Sequence, residues 1–280
     1  MGSRRLEEAV RAAEVDGRVI LVFADEAYGS ILANWLAAVD RLDLGGYLVV
    51  ALDRPTERWL AQRGVPRLRP PAPRRPALGL PVGPVRARRA RRLWSLRLDV
   101  IRQVLALGVD VVHSDADAVW LRDPMGDPLG ASAEDLVISQ GTTWPREVHG
   151  RWGFVVCCGL FQVRANDVAR RLLAEVAEDL RETGDDQASL NRVLARRDVR
   201  WEAPSPYRLE YDRTEIVCSR EPLLGRAGPL TVAVLPHHLF QRIHRPAEAP
   251  YVKHLLAPKE SRAKEEALKA AGCWFLPLSP

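Results

Sequence analysis

Three apolar runs, each ending in aspartate, constrain this chain more than any other feature. They are GRVILVFAD (17–25), GYLVVALD (46–53) and DVVHSDAD (110–117). Between them, SILANWLAAVDRL (30–42) and RLWSLRLDVIRQVLALG (92–108) carry apolar residues at helical spacing. Near-continuous apolar runs suit strands buried on both faces, which is the situation of parallel strands with helices packed on either side. Strand, helix, strand in this order predicts parallel βαβ units and an α/β class with a mostly parallel central sheet. Ligands of such sheets collect outside the carboxyl ends of the strands. Asp25, Asp53, Asp115 and Asp117 are therefore expected along one rim.

The remaining pattern continues the theme. DLVISQG (135–141) and WGFVVCCGLFQVR (152–164) predict strands, residues 166–181 and 184–197 predict helices, and the acids of GDDQASLN fall in the first turn of the second. Residues 4–15 predict a short helix. The tail from TVAVLPHHLF onward has strand and loop character before a basic helix at 261–272, so a small antiparallel or loop region is expected at the C-terminal end. No internal repeat and no clear boundary is visible, so the expectation is one domain over residues 1–280.

A chain of 280 residues with 47% hydrophobic content can build a substantial core. No apolar run approaches the ~18 residues of a membrane span, and MGSRRLEEAV is charged where a signal peptide would turn apolar, so a cytoplasmic protein without a membrane span is expected. Four cysteines, Cys157, Cys158, Cys218 and Cys273, lack zinc-type spacing and disulfide density, which predicts reduced thiols. The net charge of +5 is local. Residues 66–92 hold nine arginines, seven prolines and no acid, and removing those nine charges from +5 leaves −4 for everything else. That stretch predicts a flexible Arg/Pro-rich insert, and it gives no ground for calling the whole chain a nucleic-acid binder.

The stretch VVHSDADAVWLRDP (111–124) carries the chemistry. Carboxylates two apart raise one another's pKa unless a positive charge lies between them. Carboxylate oxygens suit hard divalent ions, and Mg²⁺ sites are typically completed by substrate phosphates. The competing reading is an acidic turn that merely caps a strand.

Taken together, the motifs resemble a nucleotide-sugar transferase of the GT-A fold, with a Rossmann-like sheet. More narrowly they resemble the nucleotide-diphospho-sugar transferase family that includes plant rhamnogalacturonan xylosyltransferases, with glycogenin-type retaining transferases as distant relatives. The resemblance rests on ADEAY with NW following, LWSLRLDVIRQVLALG before SDADAVWLRDP, CCGLFQVR, DDQASLN, and His254 with Lys259 in YVKHLLAPKE. It implies a divalent ion on Asp115, Asp117 and His254, and the mixed carboxylate and imidazole set favours Mn²⁺ over Mg²⁺. His237, His238 and His244 compete for the histidine role.

By the same resemblance, a nucleotide-sugar donor, with UDP as its nucleotide, lies against Ala24, Asp25, Glu26, Tyr28, Asp53, Arg97, Asp115, Ala116, Cys158 and Gly159. Lys259 neutralises the departing diphosphate, with Lys253 or Lys264 as substitutes because the spacing from His254 is shorter than in glycogenin-type enzymes. Asp186 and Gln187 sit at the reaction face of a retaining transferase, Asp186 as nucleophile or Gln187 as stabiliser of a front-side displacement. Relatives carry asparagine before the glycine of the CCGLF strand. Here Cys157 and Cys158 stand there, and a thiol lacks the paired donor and acceptor of an amide. The acceptor class, whether protein, glycan or small metabolite, is open at this stage.

Two rival readings remain. A haloacid-dehalogenase-like phosphatase would use Asp115 as its nucleophile, although two βαβ-like strands precede it here. A catalytically degenerate GT-A-shaped protein would bind anions through the arginine-rich insert.

Overall fold

The computed structural model describes residues 2–71, 85–126, 129–256 and 260–277. Its helices are α1 (Gly2–Ala13), α2 (Gly29–Asp40), α3 (Arg54–Gln62), α4 (Val85–Ala106), α5 (Arg146–Trp152), α6 (Asp167–Thr183), α7 (Asp186–Arg196) and α8 (Ser261–Ala270). The first strands are β1 (Arg18–Ala24), β2 (Tyr47–Ala51), β3 (Arg67–Leu68), β4 (Asp110–Asp115), β5 (Val119–Trp120), β6 (Leu136–Gln140) and β7 (Val156–Val163). They are followed by β8 (Arg200–Glu202), β9 (Pro206–Tyr211), β10 (Thr214–Ser219), β11 (Leu223–Ala227), β12 (Leu230–Leu235), β13 (Phe240–Gln241) and β14 (Val252–Lys253).

Among the described residues, nine strands form the central sheet in the order β3-β2-β1-β4-β7-β6-β12-β11-β8. β3, β2, β1 and β4 pair in parallel, as do β6 and β12. β7 runs against β4 and β6, and β11 runs against β12 and β8. Seven of the nine strands therefore point one way, with helices on both faces, as the sequence predicts. Both faces of β1 are buried. Val19, Leu21 and Phe23 pack on the side of Leu98, Ile101 and Leu105 of α4, whereas Ile20, Val22 and Ala24 pack with Ile31 and Trp35 of α2. At ~1.5–3 kcal/mol for each fully buried large apolar side chain, this double burial outweighs the slightly weaker hydrogen bonding of parallel ladders.

Capping explains where the helices start. Asn166 accepts from the Ala169 amide at 2.9 Å to open α6, and Asp185 accepts from the Ala188 amide at 2.8 Å to open α7. α6 ends on Gly184 in the left-handed region, φ +65°, which glycine tolerates without a Cβ penalty.

Three expectations need correction. Residues 152–164 are not one strand: Trp152 closes α5, Gly153 turns at φ +76°, and β7 begins at Val156. The Arg/Pro-rich stretch is shorter than expected as a loop, because Arg67–Leu68 pairs with β2 and α4 already begins at Val85, just after Pro84. Residues 72–84, the centre of the expected insert, lie outside the described residues, and so does any anion-binding role read into them. Finally, β9 and β10 form an antiparallel hairpin that the sequence reading left unassigned. Among the described residues, no helix is long and apolar enough to cross a membrane.

Candidate metal and donor site

β1 and β4 carry Asp25 and Asp115 to the same edge of the sheet, with Phe23 opposite Asp115 in the register. Beyond Asp115 the chain turns, and the Ala118 amide donates to the Asp115 carbonyl at 3.0 Å. Two buried indoles fix the strand end, Trp120 and Trp35 both donating to Ser114 Oγ, at 3.1 and 3.2 Å. The next residues form β5, which pairs antiparallel with β14, Val119 opposite Lys253. This short ladder brings His254, distant in sequence, beside Asp117. The His254 amide donates to the Gln241 carbonyl at 2.9 Å, and Arg242 Nη1 donates to the His254 carbonyl at 2.6 Å.

One nitrogen of the imidazole faces both carboxylates. His254 Nε2 lies 3.7 Å from Asp115 Oδ2 and 3.5 Å from Asp117 Oδ1. Asp115, Asp117 and His254 each offer a ligand atom, all within 4.8 Å of one another. Two hard carboxylates and one borderline imidazole at that separation fit a Mn²⁺-type ion, so the donor set expected from the sequence converges in space. Of the competing histidines, His237 accepts through Nε2 from the Arg242 and Ile243 amides at 3.3 and 3.2 Å, and neither His238 nor the exposed His244 joins the cluster.

Gly159 makes room for this ring. A Cβ on Gly159 would lie 1.9 Å from His254 Cε1 and 2.9 Å from Asp115 Oδ2. Cys157 and Gly159 share one side of β7 by the period-two alternation of a strand, and Cys157 Sγ lies 3.9 Å from His254 Nδ1. Cys158 points the other way, into the core with Leu190 and Ile138. Burial pushes its thiol well above the ordinary value, with Arg97 only partly opposing that. Burial also acts upward on Cys157, but Arg242 and His254 outweigh it and bring the thiol down to about 7.

Charge is balanced by two cations. Arg97, only 6% exposed, donates from Nη1 to Asp115 Oδ1 at 2.9 Å and from Nη2 to Asp186 Oδ2, joining the two acidic motifs through one guanidinium. Lys264 of α8 donates from Nζ to Asp117 Oδ2. For Asp115, burial raises the carboxyl, yet the hydrogen bond from His113 and the charge of Arg97 hold it near 2. For Asp117, burial is outweighed by His254 and Lys264, and the group stays far below the carboxylate range. Both carboxylates are ionised at neutral pH, as metal ligands must be. His254 behaves oppositely: burial and Arg242 lower it, and Asp117 more than compensates.

The other residues expected from the sequence lie as follows. Tyr28 is half-buried over the acids, with Lys264 Nζ 5.9 Å from its ring centroid. Ala24 and Ala116 are buried at the strand ends. Asp53 caps α3 through Oδ1, accepting from Thr56 at 2.9 Å, and its Oδ2 accepts from the Glu26 amide at 2.9 Å, so it braces the turn that carries Asp25 and Glu26. Gln187 donates from Nε2 to the carbonyl of exposed Trp144 at 2.7 Å. Lys259 lies outside the described residues, and Lys253 donates to the Ala271 carbonyl at 3.3 Å. The sequence reading gave no role to His113 or Arg242. His113 stands two residues before Asp115 on a strand, which is the signal that could have drawn attention to it; nothing local flags Arg242.

A family model for nucleotide-diphospho-sugar transferases matches residues 44–268, four-fifths of the chain and every residue of this centre except Ala24, Asp25, Glu26, Tyr28 and Trp35. The chain belongs to that family. The chain is 27% identical over 207 residues to arabinosyltransferase RRA1 of Arabidopsis thaliana, a match covering 68% of this chain and 50% of the relative. It is 27% identical over 114 residues to the beta-arabinofuranosyltransferase RAY1 of the same plant, covering 40% of this chain and 21% of that one. It thus spans half or less of the length of these curated relatives. A solved glycosyltransferase, GlyE of Streptococcus pneumoniae, superposes with a TM-score of 0.47 at 12% identity, covering 94% of this chain and 66% of the other. Family membership disfavours the phosphatase reading of Asp115.

Proposed function

We propose that the chain transfers a sugar from a uridine-diphosphate donor, with retention at the anomeric carbon, using a divalent ion held by Asp115, Asp117 and His254. The observation that carries this reading is the convergence of those three ligand atoms within 4.8 Å. Mn²⁺ is the favoured ion for a mixed carboxylate and imidazole set, with Mg²⁺ second. Asp115, Asp117 and His254 would hold the ion, which would supply Lewis-acid stabilisation of the negative charge on a leaving diphosphate.

The protein's own groups supply the rest. Lys264 is the second cation of the centre, and it takes over the diphosphate role first assigned to Lys259 because its Nζ already sits on Asp117. Arg97 holds the Asp186 carboxylate in place through Nη2, which suits a carboxylate acting as nucleophile toward the sugar. Gln187 has its amide nitrogen committed to Trp144, leaving its carbonyl oxygen as the group available to a cationic sugar centre. Both assignments are compatible with retention. The named arabinosyl relatives favour a pentose as the sugar moved.

Calorimetric titration of UDP and GDP, with and without Mn²⁺, tests the reading on wild type and Asp117→Asn. UDP binding that requires Mn²⁺ and is lost in the variant is expected. Absence of nucleotide binding in the wild type, or unchanged binding in the variant, would overturn it.

A further inference from the structure

Two features of β7 remain unexplained by the proposed reaction: the buried thiol of Cys157, and its contact with the histidine of the proposed metal set. Cys157 is held in place on both sides. Ser139 Oγ donates to its carbonyl at 3.2 Å, and Asn191 clamps the preceding residue, accepting from the Val156 amide and donating to the Val156 carbonyl, each at 2.9 Å. The thiol is 2% exposed and lies outside both hydrophobic clusters, so apolar packing does not account for its orientation. What it faces is His254 Nδ1, at 3.9 Å.

The tautomer gives that contact a meaning. His254 turns Nε2 toward Asp115 and Asp117, so Nε2 must present a lone pair to an ion and Nδ1 must carry the hydrogen. A buried Nδ1–H without an acceptor costs about 1–3 kcal/mol. Ligating histidines usually donate this hydrogen to a carboxylate, a carbonyl or water. Among the described residues, the partner at Nδ1 is the sulfur of Cys157.

We propose that Cys157 is a positioning residue for the metal centre: its sulfur accepts from His254 Nδ1–H, fixes the tautomer with Nε2 free, and together with the bare Gly159 sets the plane of the ring. The inference rests on the metal reading above. It goes beyond that reading by giving a function to the buried thiol beside the ligand histidine, and it makes the sulfur a support of the ligand instead of a ligand.

The test is Mn²⁺ affinity, read from the electron paramagnetic resonance signal of free ion during titration in the presence of UDP. The proteins are wild type, Cys157→Ala, Cys157→Ser, His254→Ala and Cys273→Ala. Loss of a supporting partner typically weakens metal binding about tenfold to a hundredfold. Cys157→Ala should therefore fall by that factor with an unchanged melting temperature, Cys157→Ser should recover most of the affinity because a hydroxyl oxygen also accepts, and Cys273→Ala should match wild type. Affinity in Cys157→Ala equal to wild type would overturn the inference while leaving the metal site standing. So would a sulfur-to-metal charge-transfer band in the Co²⁺-loaded wild type, which would make the thiol a direct ligand. Wild type that binds no Mn²⁺ would overturn the metal reading itself, and this inference with it.

Discussion

Replacing Gly159 by alanine should disable the proposed metal centre while leaving the sheet intact. The added Cβ would sit 1.9 Å from His254 Cε1 and 2.4 Å from Nδ1. Carbon atoms in contact rest about 3.5 Å apart, so the ring must retreat by about 1.6 Å. Ligand distances are held to roughly ±0.2 Å in working sites, so a shift of that size removes His254 from the donor set. Nor can the backbone easily yield on the other side, because β7 is paired with both β4 and β6. Overpacking of this kind costs about 1–3 kcal/mol of stability, short of unfolding a domain of typical stability. Titration of Mn²⁺ with UDP present should find Gly159→Ala as weak as His254→Ala, while circular dichroism shows a folded protein with a moderately lower melting temperature. Mn²⁺ affinity within threefold of wild type would refute the reasoning, since it would mean that the ring can move and still ligate, or never ligates at all.

Two further outcomes follow from the charge arrangement. Arg97→Met leaves Asp186 and Asp115 without their shared partner; breaking a buried pair from one side costs about 3–5 kcal/mol, and Arg97→Lys should not restore it because a single ammonium cannot bridge both carboxylates. Urea denaturation at pH 7 checks both variants. His113 is buried and held near 4, chiefly by burial and then by Arg97, so it is neutral in the folded protein and protonates near 6.5 when unfolded. Its contribution is present above pH 6.5 and is lost as pH falls from there through 4, amounting to about 3 kcal/mol at the acid end; a His113→Gln variant should show a flatter stability profile over that window. Asp115, depressed to about 2, adds its own loss only below pH 4.

Much of this architecture was legible in the sequence because each signal was local. Apolar runs ending in aspartate gave β1, β2 and β4, and Asn166 and Asp185 announced α6 and α7 through side chains that cap within three residues. The Asp115, Asp117 and His254 set came from the family resemblance, and the β5–β14 ladder is what brings the three side chains together. Less legible were contacts with no local cause. Lys264 reaches Asp117 across 147 residues, and neither segment signals the other. The β9–β10 hairpin did have a cue, the alternation of YRLEY and TEIVC around Asp212 and Arg213, both at positive φ. Asp-Arg is not among the glycine-containing pairs that mark such turns, which is why the hairpin escaped notice.

The order in which the parts of the site occur along the chain has a consequence for synthesis. Every strand of the central sheet lies before Pro236, yet His254 arrives on β14, Lys264 on α8, and α8 is tied down by Ser261 on the Ala27 carbonyl and by Asn34, which grips Cys273 and Phe275. A nascent or truncated chain that stops before Val252 can pair its whole sheet and bury most of its core while the two carboxylates still lack His254. The last tenth of the chain therefore acts as a completion signal: the acidic rim exists early, but the proposed three-residue metal set is assembled only when the segment from Val252 has folded back over the beginning.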